Sequence, residues 1–158
     1  MNSVIEIPAQ TELQELGVIQ LECNDRAPYQ ARKAVAAWTG AAHPAQEILI
    51  LATSELITNA VTHAGDIDWI ELKLSQGLDF LRLVVTDPGL ACSTPSRIPM
   101  QASNLYAEQG RGLAIVENLS RGRWGSHRLP VNGHRCVWCH LDLRPTPAQL
   151  EELFSASA

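Results

Sequence analysis

Glu55 and Asn59 stand four residues apart in the segment SELITNAVTHA, residues 54–64. The segment reads as a helix, and that spacing puts the carboxylate and the carboxamide on adjacent turns of one face with their tips close together. A carboxylate beside a neutral oxygen donor can hold a hydrated Mg²⁺ and can orient or deprotonate a nucleophile. Many helices carry such a pair by chance, so its meaning depends on what is brought to it. Two glycine-containing segments lie further along the chain. Asp87-Pro88-Gly89 ends an alternating apolar run. Its carboxylate can accept a hydrogen bond from an exocyclic amine such as adenine's, and its glycine lets a ligand approach the backbone. An ordinary turn uses the same residues. Gly110-Arg111-Gly112 precedes LAIVENLS and, at a helix start, offers free N–H groups and the positive dipole end to phosphate. It lacks the third glycine and preceding strand of a dinucleotide fingerprint, and the Gly-Lys-Ser/Thr of a P-loop. A plain helix start would also explain it.

The elements that must position these groups can be read from periodicity. Residues 17–23 (GVIQLEC) alternate as a strand, Asn24-Asp25 can cap the next helix, and residues 28–39 form that helix, which Gly40 closes. Pro44 opens a second helix to about Ala64, with Ile48, Leu49, Ala52, Leu56, Ala60 and Val61 at core spacing and Gly65 as its stop. Residues 69–74 and 80–86 alternate around a short turn and predict an antiparallel hairpin. Residues 90–109 hold two prolines, four serines or threonines and no helical period, the composition of a functional lid or a disordered loop. A helix after Gly110 ends at Gly122, strands cover 123–128 and 134–143, and a short helix covers 147–154. The order β-α-α-β-β-lid-α-β-β-α, hairpins with helices between, predicts an α+β fold: a two-layer α/β sandwich with a mixed, mostly antiparallel sheet.

At 158 residues the chain fits a single domain with room for a real core, residues 1–14 forming a flexible arm. Apolar content of 46% and charged content of 18% describe a globular protein. A net charge of −5 argues against nucleic acid as the main partner. No apolar run approaches a membrane span, and the acidic N-terminal stretch lacks a signal peptide's basic start, so a cytoplasmic location with reduced cysteines is expected. Cys136-x-x-Cys139 lies in a strand pattern, so its thiols point to opposite faces and behave as small hydrophobes, not as a metal or redox pair. His63 shares the Glu55–Asn59 stripe and reads as a helix-end residue; Trp69, beside a turn, is a candidate for a partner surface.

In order and spacing these segments resemble the GHKL ATPase superfamily, whose members share an N-box helix, an Asp-x-Gly box, a mobile ATP lid and a Gly-x-Gly box. Within it, SELITNAVTHA, GRGLAIVENLS with Arg123-Trp124-Gly125, and CVWCHLDL resemble the small stand-alone anti-sigma-factor serine/threonine kinases of bacteria, the RsbW-like type. The resemblance spans about residues 15–143 and implies the Bergerat (histidine-kinase-like ATPase) form of the sandwich, helices on one face, with residues 90–109 as the ATP lid. It implies ATP and Mg²⁺ as cofactors. Glu55 would be the general base, Asn59 the Mg²⁺ ligand, Asp87 the reader of the adenine amine and Gly89 the space for the ring. Gly110, Arg111, Gly112 and Leu113 would hold phosphates.

The implied activity is that of a protein kinase that phosphorylates an anti-sigma antagonist and binds a sigma factor, as a homodimer. The alternative is a non-catalytic regulatory binding module of the same fold. Three departures from the family pattern bear on that choice. Position 91 is Ala where a second glycine is usual, no Lys or Arg stands between Arg97 and Arg111, and Cys136 takes a place near the adenine where Thr is common.

Overall fold

The computed structural model describes residues 13–63, 67–89 and 111–157. Nine elements run in the predicted order: β1 (Gln14–Glu22), α1 (Ala27–Thr39), α2 (Gln46–His63), β2 (Trp69–Gln76), β3 (Phe80–Asp87), α3 (Arg111–Ser120), β4 (Trp124–Arg128), β5 (Arg135–Asp142) and α4 (Pro147–Ser157). The five strands form one sheet in the order β1-β2-β3-β5-β4. Every neighbouring pair is antiparallel, so the sheet is not mixed among the described residues. The fold is α+β, with helices packed on a five-stranded antiparallel sheet.

Local boundaries differ from the sequence reading for identifiable reasons. β1 starts three residues earlier than Gly17, and Gln14, expected in a flexible arm, pairs with Gln76 across a register shift between Glu15 and Gly17. The irregularity breaks the alternation that would have revealed the strand's start. At α1 the N-cap position falls on Arg26, which makes no side-chain cap. Asn24 acts one step earlier instead, its Oδ1 accepting the Arg26 N–H at 2.9 Å in an Asx turn. α2 begins at Gln46, two residues after Pro44, because residues 44–45 form a turn in which His43 Nδ1 accepts the Ala45 N–H at 3.0 Å.

The core lies between the helices and one face of the sheet. Ile70, Leu72 and Leu74 of β2, Leu81, Leu83 and Val85 of β3, and Val137, Cys139 and Leu141 of β5 are buried there. They pack with Ile48, Leu49, Ala52, Leu56, Ile57 and Ala60 of α2 and Leu113, Val116 and Leu119 of α3. Val61 is only partly buried at its edge. Gly17 is required by packing: a Cβ there would lie 2.1 Å from the Trp38 ring of α1.

The alternate residues of β3 and β5 face away from the helices. Register pairs Thr86 with Cys136, Val84 with Trp138 and Arg82 with His140 on that face. There the His140 ring stacks on Phe80 at 4.4 Å, and Arg82 lies over Trp138. The two thiols of the Cys-x-x-Cys segment therefore sit on opposite sides of the sheet. Complete burial pushes the Cys139 thiol up to about 12, so it stays protonated in the core.

Connectivity decides which ends meet. Glu22 pairs with Trp69, Glu71 with Thr86, Asp87 with Arg135, and Arg128 with Arg135. The ends of β1, β3 and β4 and the starts of β2 and β5 thus share one end of the sheet. α2 runs into β2, so its C-terminal half is at that end. α3 runs through a tight turn into Trp124, which pairs with Cys139 well along β5, so its first turn lies at that end too. The three segments with chemical potential converge because the topology forces them to.

Candidate functional site

Asn59 lies in the second half of α2 and is buried. Its Oδ1 has no hydrogen-bond partner among the described residues. Buried carboxamide oxygens are normally paired, so an orphaned one is suited to a ligand's donor or a cation. Glu55, one turn earlier, is half-buried, and burial pushes its carboxyl above the ordinary value of 4.5. No ion pair offsets that cost among the described residues. One turn of α2 therefore carries a carboxyl raised by burial and an oxygen without a partner among the described residues.

Asp87 ends β3 and is almost fully buried. The Gly89 N–H donates to its Oδ1 at 2.8 Å, and Arg135 Nε–H donates to its Oδ2 at 3.1 Å. Arg135 opens β5 directly opposite and is itself buried. Its Nη2 has no partner among the described residues. The Asp87 charge also adds to burial in pushing the nearby Cys23 thiol up.

Gly89 has a backbone reason for being glycine. Its φ is +69°, and a Cβ would meet Arg128 Nη1 at 3.1 Å and the Gly133 carbonyl oxygen at 3.2 Å. The turn after β3 therefore needs glycine whether or not a ligand comes near.

Arg111 and Gly112 form the first turn of α3, and Leu113 is buried under it. Leu113 thus anchors the helix start to the core. Gly110, position 91 and the expected lid at 90–109 lie outside the described residues. His63 closes α2 as expected. Trp69 is half-buried and meets His134 edge-on at 5.1 Å, so its ring is packed across the sheet end.

One expectation is corrected. Cys136 does not share Asp87's face; it pairs with Thr86 on the face away from the helices, where burial raises its thiol and a hydrogen bond with Thr86 lowers it. The residue beside Asp87 is Arg135, which belongs to none of the motifs singled out in the sequence. A signal for it exists in the alternation: counting back from the core positions Leu141 and Cys139 by twos reaches 137 and then 135.

The arrangement suits a magnesium nucleotide. Orphaned Asn59 Oδ1 fits a hard cation's oxygen ligand set, and Asp87 retains a lone pair on each oxygen for a base amine. Among the described residues, no helix is long and apolar enough to cross a membrane. No curated protein matches the chain. A family profile for the histidine kinase-like ATPase domain matches residues 22–123, from the end of β1 to the turn before β4. The match takes in Glu55, Asn59, Asp87 and the start of α3, and the chain belongs to the histidine kinase-like ATPase domain family.

Proposed function

We propose that the protein binds Mg-ATP at this end of the sheet and is a serine/threonine protein kinase that doubles as an anti-sigma factor. The observation carrying the reading is the α2 pair: an orphaned, buried Asn59 Oδ1 one turn from a Glu55 carboxyl raised by burial. A bound Mg²⁺, which Asn59 would help to hold, would supply charge neutralisation for phosphoryl transfer. Asn59 would hold the cation, Asp87 would take the adenine amine, and the first turn of α3 (Arg111, Gly112) would turn its N–H groups to phosphate. Glu55 accepts the proton of the acceptor's hydroxyl as that oxygen bonds to the γ-phosphorus and the bond to the β-phosphate oxygen breaks, releasing ADP. A carboxyl with a raised pKa is the stronger base for that task.

The phosphoacceptor is an anti-sigma antagonist protein, and the protein sequesters a sigma factor, as a homodimer, once the antagonist is phosphorylated. Support for this finer reading is the match of SELITNAVTHA and GRGLAIVENLS to the anti-sigma kinase pattern. The test is transfer of label from radiolabelled ATP to candidate antagonist proteins. Glu55→Gln should abolish transfer while Mg-ADP binding persists; undiminished transfer removes Glu55 from the base role.

A second reading is a regulatory module without turnover, in which Asp87, paired with Arg135, would still face the nucleotide. Titration calorimetry with Mg-ADP discriminates, because absence of binding at high micromolar protein sinks the kinase reading.

A further inference from the structure

Arg135 is a buried guanidinium whose role the family pattern does not supply. Its Nε–H is committed to Asp87 Oδ2, while its Nη2, on the same edge of the guanidinium plane as Nε, is buried without a partner among the described residues. A buried donor left unpaired is costly, and Arg cannot shed its proton to avoid the cost. Each Asp87 oxygen has accepted one hydrogen bond and can accept another. The pair therefore presents, side by side, a free acceptor and a free donor.

We propose that Arg135 is a base-reading residue: its Nη2 donates to ring nitrogen N1 of adenine while Asp87 accepts from the adjacent exocyclic amine. The inference rests on the nucleotide reading and adds a second contact to it. Adenine offers a donor at its amine and an acceptor at N1, the complement of the Asp87–Arg135 pair. A 6-oxopurine offers the reverse, an acceptor at O6 and a donor at N1. Placed in the same pose, it sets O6 against the carboxylate and N1–H against the guanidinium. Sites that mispair buried polar groups reject a ligand strongly. The ion pair is thus part of the recognition edge and is kept when the base binds, so the base need not displace Arg135.

The experiment is calorimetric binding of three Mg-nucleotides: ADP, 1-deaza-ADP, in which N1 becomes a C–H, and IDP, the 6-oxo counterpart. Wild type should bind ADP tightest, lose about tenfold or more with 1-deaza-ADP, and lose still more with IDP. In Arg135→Met the gap between ADP and 1-deaza-ADP should close. Arg135→Gln, which keeps an N–H donor, should restore part of it. The wild-type comparison needs no variant, so a poorly folded Arg135→Met leaves it intact. Equal wild-type affinity for ADP and 1-deaza-ADP, or tighter ADP binding by Arg135→Met, overturns the inference and makes Arg135 a plug over Asp87 while nucleotide binding stands. Failure of wild type to bind any of the three overturns the nucleotide reading and this inference with it.

Discussion

Asp87→Asn is the substitution whose stability effect comes most directly from the structure. The variant keeps Oδ1 to accept the Gly89 N–H but removes the charge facing Arg135. The side chains of Arg135 and Asp87 are 9% and 3% exposed, so the guanidinium would be stranded away from water. Breaking a buried pair from one side costs about 3–5 kcal/mol, because the remaining charge has neither solvent nor partner. For a chain of this size that lowers the melting temperature by roughly 6–20 °C. The Lys73–Glu15 pair sets the scale for comparison: at 3.5 Å with both side chains about half exposed, its loss should cost no more than about 1 kcal/mol.

The full cycle adds Arg135→Met and the double variant, each unfolded in urea without nucleotide and followed by tryptophan fluorescence. Arg135→Met strands the Asp87 carboxylate in turn and should also destabilise the protein. The double variant removes both charges and should recover most of the loss, giving a coupling of about 3 kcal/mol. An Asp87→Asn cost within about 1 kcal/mol of wild type would refute the reasoning, showing water reaches the pair. So would additive single costs in the double variant.

Three further outcomes are expected. Gly17→Ala should destabilise by about 1–3 kcal/mol in thermal melts by driving a methyl into the Trp38 ring, and Trp38→Leu in the same background should relieve much of that. Asn59→Leu, of similar size, should leave the nucleotide-free protein as stable as wild type or up to about 1–3 kcal/mol more so, since it removes an orphaned acceptor, while abolishing the melting shift given by Mg-ADP; a large loss of nucleotide-free stability would count against it. Glu55 has a folded-state pKa raised above its ordinary 4.5, so its contribution to stability is fully present below that value and lost as pH rises through the folded value. Glu55→Gln should therefore gain stability relative to wild type as pH rises from 4.5 towards neutrality, and the acid limb of wild-type phosphotransfer should lie above 4.5.

The nine elements are legible in the sequence because each carries its own period: two in the strands, near 3.6 in the helices, with glycines at the breaks. What escapes a sequence reading depends on contacts distant along the chain or on broken period. Gln14 reads as part of an arm because polar residues and a register shift hide the start of β1. Asp87 and Arg135 are 48 residues apart, and nothing local marks them as partners. Matching residue type to a family pattern puts Cys136 beside the adenine. Alternation from the core puts Arg135, not Cys136, beside Asp87.

Exchanging one neighbour for the other changes what the departures from the family pattern mean. A thiol at position 136 lies on the far side of the sheet and takes nothing from the site. An arginine at 135 changes it, adding a charge and a donor without a partner among the described residues beside Asp87, the carboxylate proposed to read the base. Asn59, Asp87 and Arg135 would serve a kinase and a binding module equally, since each acts on the bound nucleotide. Glu55 alone separates the two readings. A module that only binds gains nothing from holding a half-buried carboxyl with no counter-charge among the described residues, and bears the cost of its desolvation when it is ionised. In the proposed function, that cost one turn from Asn59 is the physical argument for catalysis over binding alone.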